Sequence, residues 1–161
     1  MAYLTPFLLL GNPTDKLPYR SLILTDEPGI PDDTYVLEEW YCPNPLCSCN
    51  EVHLKVKALN QKIPAVDMRL PLNLQLPIAP VLENDEQDFF PVYTVKLFRL
   101  LAEYLKGEPD YVQGLREHYC ELRTVASDPT HPRHKAVDYW GKNGRRLAAD
   151  SPKRKRHKTR K

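Results

Sequence analysis

Three of the four cysteines in the chain lie within one short stretch, and this clustering constrains the fold more than any other feature of the sequence. Cys42, Cys47 and Cys49 fall within eight residues of one another. The segments before and after them, 34–41 and 52–58, have the composition or the alternation of apolar and polar residues that is typical of β-strands. The sequence therefore predicts a β-hairpin that carries three thiols at its tip.

Clustered thiols favour a metal site over a disulfide where cysteines are kept reduced. The apolar start of the chain lacks the basic residues of a secretory signal and stops at Gly11-Asn-Pro13, so we predict a cytoplasmic protein. Structural zinc takes four thiolate or imidazole ligands in a tetrahedron, and Cys42, Cys47 and Cys49 would supply three of them. Incidental buried cysteines, a disulfide formed on oxidation and an iron–sulfur cluster stay as alternatives.

Three residues are candidates for the fourth ligand. His118 ranks first, because it lies on the apolar stripe of a predicted helix and would face whatever that helix packs against. His53 is nearest in sequence, but strand alternation places it on the face of Glu51 and Lys55. Cys120 ranks third, since it lies about 200° around the helix from His118.

The stretch Tyr41-Cys-Pro-Asn-Pro-Leu-Cys-Ser-Cys49 resembles a zinc-knuckle pattern, Tyr-Cys-x-Asp-Pro-x-Cys-Asp-Cys, of uncharacterised bacterial proteins. The resemblance extends to a later helix with a Tyr-Val and a His-Tyr pair, here Tyr111-Val112 and His118-Tyr119. Asn44 and Ser48 replace two acids of the pattern, which changes local charge but not ligation. The resemblance implies a bacterial zinc-binding domain of unassigned function. A looser likeness to the SEC-C zinc motif lacks that motif's second cysteine pair.

The predicted fold class is α+β. An N-terminal antiparallel β-meander, built from strands near 19–25, 34–41, 52–58 and 62–70, is followed by two packed helices. Apolar spacing and helix-end signals predict those helices over 91–106 and from 109 to about 125. We predict a single zinc-binding domain, residues 1–140, and a disordered tail, residues 141–161.

The net charge of +2 is unevenly distributed. Residues 153–161 hold seven of the 23 basic residues; the remaining 16 face 21 acidic residues, which leaves the rest of the chain at −5. The folded part therefore lacks the broad basic face of a nucleic-acid-binding domain. The tail could bind nucleic acid weakly and non-specifically. Its candidate contacts are Lys153, Arg154, Lys155, Arg156, Lys158, Arg160 and Lys161.

These patterns predict a non-enzymatic, structural zinc-binding protein that acts as an interaction module for an unknown protein partner. One alternative is a nucleic-acid-associated factor that uses the basic tail. The other is a zinc hydrolase with an open fourth position, which would need a bound water and a nearby general base. The sequence contains no phosphate-binding loop or nucleophile elbow, and no stretch reaches the roughly 20 apolar residues of a membrane span.

Overall fold

The structure is a computed structural model, and it describes residues 4–10, 20–60, 64–72, 81–82 and 91–149. These residues form six β-strands, one short 3-10 helix at Phe7–Leu9 and three α-helices. The strands are β1 (Thr5–Pro6), β2 (Arg20–Leu24), β3 (Asp33–Tyr41), β4 (Glu51–Ala58), β5 (Pro64–Pro71) and β6 (Val81–Leu82). The helices are α1 (Thr94–Gly107), α2 (Pro109–Ser127) and α3 (His134–Ala149).

The six strands form one antiparallel sheet whose centre is the meander β3–β4–β5. Two strands pair with the edge of β3 that faces away from β4. β1 pairs with Trp40 and Tyr41, and β2 pairs with residues 33–37. β6 extends the sheet beyond β5. The prediction of an α+β fold with an N-terminal antiparallel sheet is therefore confirmed.

One face of the sheet is buried beneath the helices. The alternating residues of the central strands point into this core, as a period of two requires. α1 packs over β5, and α2 packs over β3 and beside α1. The fully buried residues of this layer include Tyr35, Leu37, Val52, Leu54, Val56, Met68, Leu70, Leu97, Leu101, Leu105, Val112 and Leu115.

Helices α1 and α2 follow the predicted pattern closely. α1 begins at Thr94 rather than at Pro91, because residues 91–93 form a turn in which the Thr94 N–H donates to the Pro91 carbonyl. Glu108 alone separates the two helices, and Pro109 opens α2 in the first-turn position that suits proline. This short connection forces α1 and α2 to lie side by side.

Helix α3 was not predicted, and it changes the proposed tail boundary at residue 141. The helix continues to Ala149, so residues 141–149, which were expected to be disordered, are helical. The apolar contacts that hold it, Val137 and Gly141, are both buried and lie four residues apart. Within residues 134–143 these are the only two buried positions, and one of them is a glycine, so the sequence shows no clear apolar stripe there. The predicted nucleic-acid-binding residues 153–161 lie outside the described residues.

Candidate metal centre

The loop between β3 and β4 gathers the three clustered cysteines. Their sulfur atoms all lie within 4.8 Å of one another. Cys42 follows directly on the last residue of β3 and is buried, whereas Cys47 and Cys49 are partly exposed. Among the described residues, this is the only group of three or more cysteine, histidine or acidic side chains that is close enough to hold a metal ion.

A β-turn folds the loop back on itself. The Cys47 N–H donates to the Asn44 carbonyl (3.1 Å), and the Leu46 N–H donates to the Asn44 side-chain oxygen (3.0 Å). Asparagine in the first position and Pro45 in the second are the residues that such a turn favours. The turn thus returns Cys47 to the neighbourhood of Cys42, and the local sequence is sufficient to explain it.

The three thiols differ in acidity. Hydrogen bonds from the Cys49 thiol and from the Cys49 backbone N–H, whose nitrogen lies 3.4 Å from the sulfur, lower the pKa of Cys47. Burial raises the pKa of Cys42, and burial followed by the neighbouring thiols raises the pKa of Cys49. A thiol with a lowered pKa therefore lies beside two thiols with a raised pKa. A coordinated divalent cation would change this order, because thiols that coordinate a metal are deprotonated.

Helix α2 holds the outer side of this loop through two side chains one turn apart. Arg123 donates to the carbonyl oxygens of Asn44, Pro45 and Cys47. Tyr119 donates its hydroxyl to the Cys49 carbonyl at 2.5 Å, and its ring lies beneath the Arg123 guanidinium, 5.5 Å away. Four loop carbonyls are therefore satisfied by one helix.

Helix α3 and the end of β5 support the rest of the loop. Gly141 packs so closely on Pro43 that a Cβ atom at this glycine would lie 2.6 Å from the proline ring. The Leu72 N–H donates to the Asn50 carbonyl at 2.9 Å. Trp140, next to Gly141, reaches Trp40 at a ring separation of 6.1 Å. The only two tryptophans of the chain therefore meet beside the cysteine loop.

His118, the first candidate for the fourth ligand, is not brought together with the sulfurs. Its Nδ1 lies 2.7 Å from the Glu39 carboxylate, and its ring stacks on Phe7 at 3.8 Å. Glu39 is buried and also accepts a hydrogen bond from the Tyr41 hydroxyl at 2.8 Å. His118 does face the element on which α2 packs, as expected. His118 itself meets β3 at Glu39, two residues before the end of the strand, and not the loop that follows.

His53 and Cys120 also lie apart from the sulfur group. His53 pairs across the sheet with Trp40, on the face away from α2, and its Nε2 is 3.5 Å from Glu51. Strand alternation predicted that face. Cys120 is exposed on α2. The described residues thus supply three close metal ligands, and they do not identify a fourth.

Three residues that contribute to the site, Arg123, Glu39 and Gly141, were not singled out in the sequence, and Tyr119 was named only as part of the His118-Tyr119 pair and the apolar stripe. Tyr119 and Arg123 are spaced by four on α2, a spacing that places both on one side of a helix. That spacing was the available signal for a polar contact beside the apolar stripe. Glu39 and Gly141 carry no comparable signal, since their roles depend on which elements meet them across the fold.

Comparison of the chain with protein-family models, curated protein sequences and solved structures gave no match. The similarity to bacterial zinc-knuckle proteins therefore stays an expectation from the motif. Within the described residues, every helix is too short or too polar to cross a membrane.

Proposed function

We propose that the protein binds one zinc ion through Cys42, Cys47 and Cys49, and that this ion has a structural role in a non-enzymatic interaction module. The observation that carries the proposal is the group of three sulfurs within 4.8 Å of one another. Zinc–sulfur bonds of about 2.3 Å in a tetrahedron place sulfurs about 3.8 Å apart. A small contraction of the loop would therefore be enough to bind the ion.

Further support comes from where the loop sits. It joins the two central strands β3 and β4 and is contacted by α2 and α3. An ion bound there would cross-link the tip of the hairpin, from the buried Cys42 to the partly exposed Cys47 and Cys49. Because the ligands are contributed by a folded loop, the binding free energy of the ion adds to the stability of the fold.

Elemental analysis of the purified protein tests this proposal. We expect about one zinc ion per chain in the wild type and almost none after Cys42→Ser, Cys47→Ser or Cys49→Ser. Cys120→Ser is the matched control, because it removes a thiol that lies outside the group. Absence of zinc from the wild-type protein, even after refolding with added zinc, would contradict the proposal.

The same measurement addresses the fourth ligand. Variants His118→Ala and His53→Ala should keep their zinc if the fourth ligand is a water molecule or a residue outside the described part of the chain. Loss of zinc in one of them would identify that histidine as a ligand, and would require its ring to leave the contacts described above.

A second candidate is a zinc hydrolase whose fourth position holds water. It is favoured by one observation: no fourth histidine, cysteine or acidic side chain of the described residues joins the three sulfurs. Cobalt(II) bound in place of zinc reports this directly. If water occupies the fourth position, azide should change the visible spectrum of the cobalt protein. A spectrum that azide leaves unchanged would favour a site closed by four protein ligands.

A further inference from the structure

We propose that Arg123 and Tyr119 are positioning residues that hold the cysteine loop ready for metal before the metal arrives. The inference rests on the proposed zinc site and concerns how that site is prepared. It starts from an unusual concentration of contacts: two side chains of α2 satisfy the carbonyls of Asn44, Pro45, Cys47 and Cys49. These four residues span the part of the loop that carries two of the three thiols.

The direction of these carbonyls matters for the thiols. In a trans peptide the C=O and the following N–H point in opposite directions. Carbonyls that point toward Arg123 therefore direct the next N–H groups away from it. Pro45 has no N–H, so these groups belong to Leu46 and Ser48, and the Leu46 N–H donates to the Asn44 side-chain oxygen in the β-turn. Within the segment held in this way, the Cys47 N–H donates to the Asn44 carbonyl and the Cys49 N–H donates to the Cys47 sulfur. The contacts of Arg123 thus favour the conformation in which the sulfurs are close.

Arg123 is well suited to this role for electrostatic reasons. Its guanidinium offers five N–H donors in a planar fork, so one side chain can serve several carbonyls at once. Its positive charge also strengthens these contacts, because hydrogen bonds from a charged donor are stronger than those between neutral groups. The guanidinium carbon also lies 5.5 Å from the centre of the Tyr119 ring, within the range of a cation–π contact.

A simpler alternative is that Arg123 and Tyr119 only fasten α2 to the loop. In that case their loss would lower the melting temperature but leave the metal affinity of the folded protein unchanged. If they position the loop, variants that lack them should bind metal more weakly even when they are fully folded. Replacement of residues that orient metal ligands typically lowers metal affinity by about 10–100-fold.

The experiment compares Arg123→Ala, Arg123→Lys and Tyr119→Phe with the wild type. Zinc and cobalt(II) dissociation constants are measured by chelator competition, well below the melting transition. We expect Kd to rise about 10–100-fold in Arg123→Ala. Arg123→Lys keeps the charge but not the fork, and Tyr119→Phe loses one hydrogen bond, so both should show smaller increases. Arg99→Ala and Tyr139→Phe, at exposed positions on α1 and α3, are the matched controls.

A second measurement uses the metal-free protein. Amide hydrogen exchange at Cys47 and Cys49 reports whether the turn and the N–H···S contact persist without metal. We expect faster exchange at both amides in Arg123→Ala and Tyr119→Phe than in the wild type, and no change in the controls. The conservative variants Arg123→Lys and Tyr119→Phe keep the test valid if Arg123→Ala does not fold.

The outcomes separate the two proposals. A wild-type protein that binds neither ion overturns the proposed zinc function and, with it, the metal-ready role of the loop. Binding by the wild type with unchanged Kd in Arg123→Lys and Tyr119→Phe, and unchanged amide exchange, overturns the inference alone. A fall in melting temperature with unchanged Kd identifies a purely structural role and overturns it as well.

Discussion

Two polar clusters lie close together on β3, and they differ in how their charges are balanced. In the Glu39 cluster, formed by Glu39, Tyr41 and His118, the buried carboxylate receives hydrogen bonds from the other two side chains. In the cysteine loop, three thiols face one another without a fourth ligand from the described residues. The hydrogen bonds of the first cluster are made within the protein, whereas the second is a group of three ligands that could hold a metal ion.

The comparison shows how one helix serves two purposes. His118 and Tyr119 are neighbours on α2, yet the first enters the Glu39 cluster and the second contacts the cysteine loop. Successive helical residues point about 100° apart, so adjacent side chains can reach different partners. The Glu39 cluster and the cysteine loop are therefore contacted by adjacent residues of the same helix, through separate hydrogen bonds.

The largest expected effect is on the cysteine loop, from removal of the metal. A ligand held at a thousand times its Kd stabilises a protein by about 4 kcal/mol. In a chain of this size, chelation should therefore lower the melting temperature by roughly 8–16 °C. Thermal melts with and without a chelator, followed by addition of excess zinc, measure the shift. An unchanged melting temperature in protein shown to contain zinc would argue against a structural role for the ion.

The next effect concerns the Glu39 cluster. Glu39→Ala leaves the Tyr41 and His118 donors without their shared acceptor and should destabilise the fold by about 3 kcal/mol. Glu39→Gln keeps an acceptor oxygen and should cost less. Zinc content should stay at the wild-type value in both variants, measured together with urea unfolding. Loss of zinc in the folded Gln variant would show that the two clusters are not independent.

A smaller effect is expected where α3 meets the loop. Gly141→Ala places a Cβ atom against the Pro43 ring, and a contact of this kind costs about 1–3 kcal/mol. Because Trp40 and Trp140 meet beside this contact, tryptophan fluorescence should change along with stability. Gly114→Ala on α2, where nothing lies near the added atom, is the control. Equal stability of Gly141→Ala and the wild type would mean that α3 does not pack tightly against Pro43 of the loop.

The smallest effect is expected at Cys120, which belongs to neither cluster. Cys120→Ser should change stability by no more than about 0.5 kcal/mol, as is usual for exposed positions. It should also leave zinc content unchanged. Thermal melts and elemental analysis of the same sample check both values. A clear loss of zinc would make Cys120 a candidate for the fourth ligand again.

Much of the architecture could be predicted because it depends on local patterns. Alternation along β4 and the apolar stripes of α1 and α2 reflect burial on one side of each element, which the sequence records directly. Helix α3 escaped prediction because few apolar residues hold it, and the importance of Gly141 lies in its missing side chain. A residue that matters through close approach leaves no hydrophobic signal.

The fourth-ligand question shows the same limit. The stripe on α2 correctly placed His118 on the packed side of the helix. Which strand residue it would meet depended on the position of α2 along β3, and a shift along the strand decides between Glu39 and the loop. The position of α2 along β3 is set by how the surface of the helix and the surface of the sheet pack against each other.

By itself, the sequence determined that three thiols would share one loop, because Cys42, Cys47 and Cys49 are close in the chain and the Asn44-Pro45 turn folds locally. Only the tertiary structure decided what surrounds them. Arg123 and Gly141 come from distant segments, and His118 is held by Glu39 instead of reaching the sulfurs. Local geometry depends on neighbours in sequence, whereas the completion of a site depends on long-range packing.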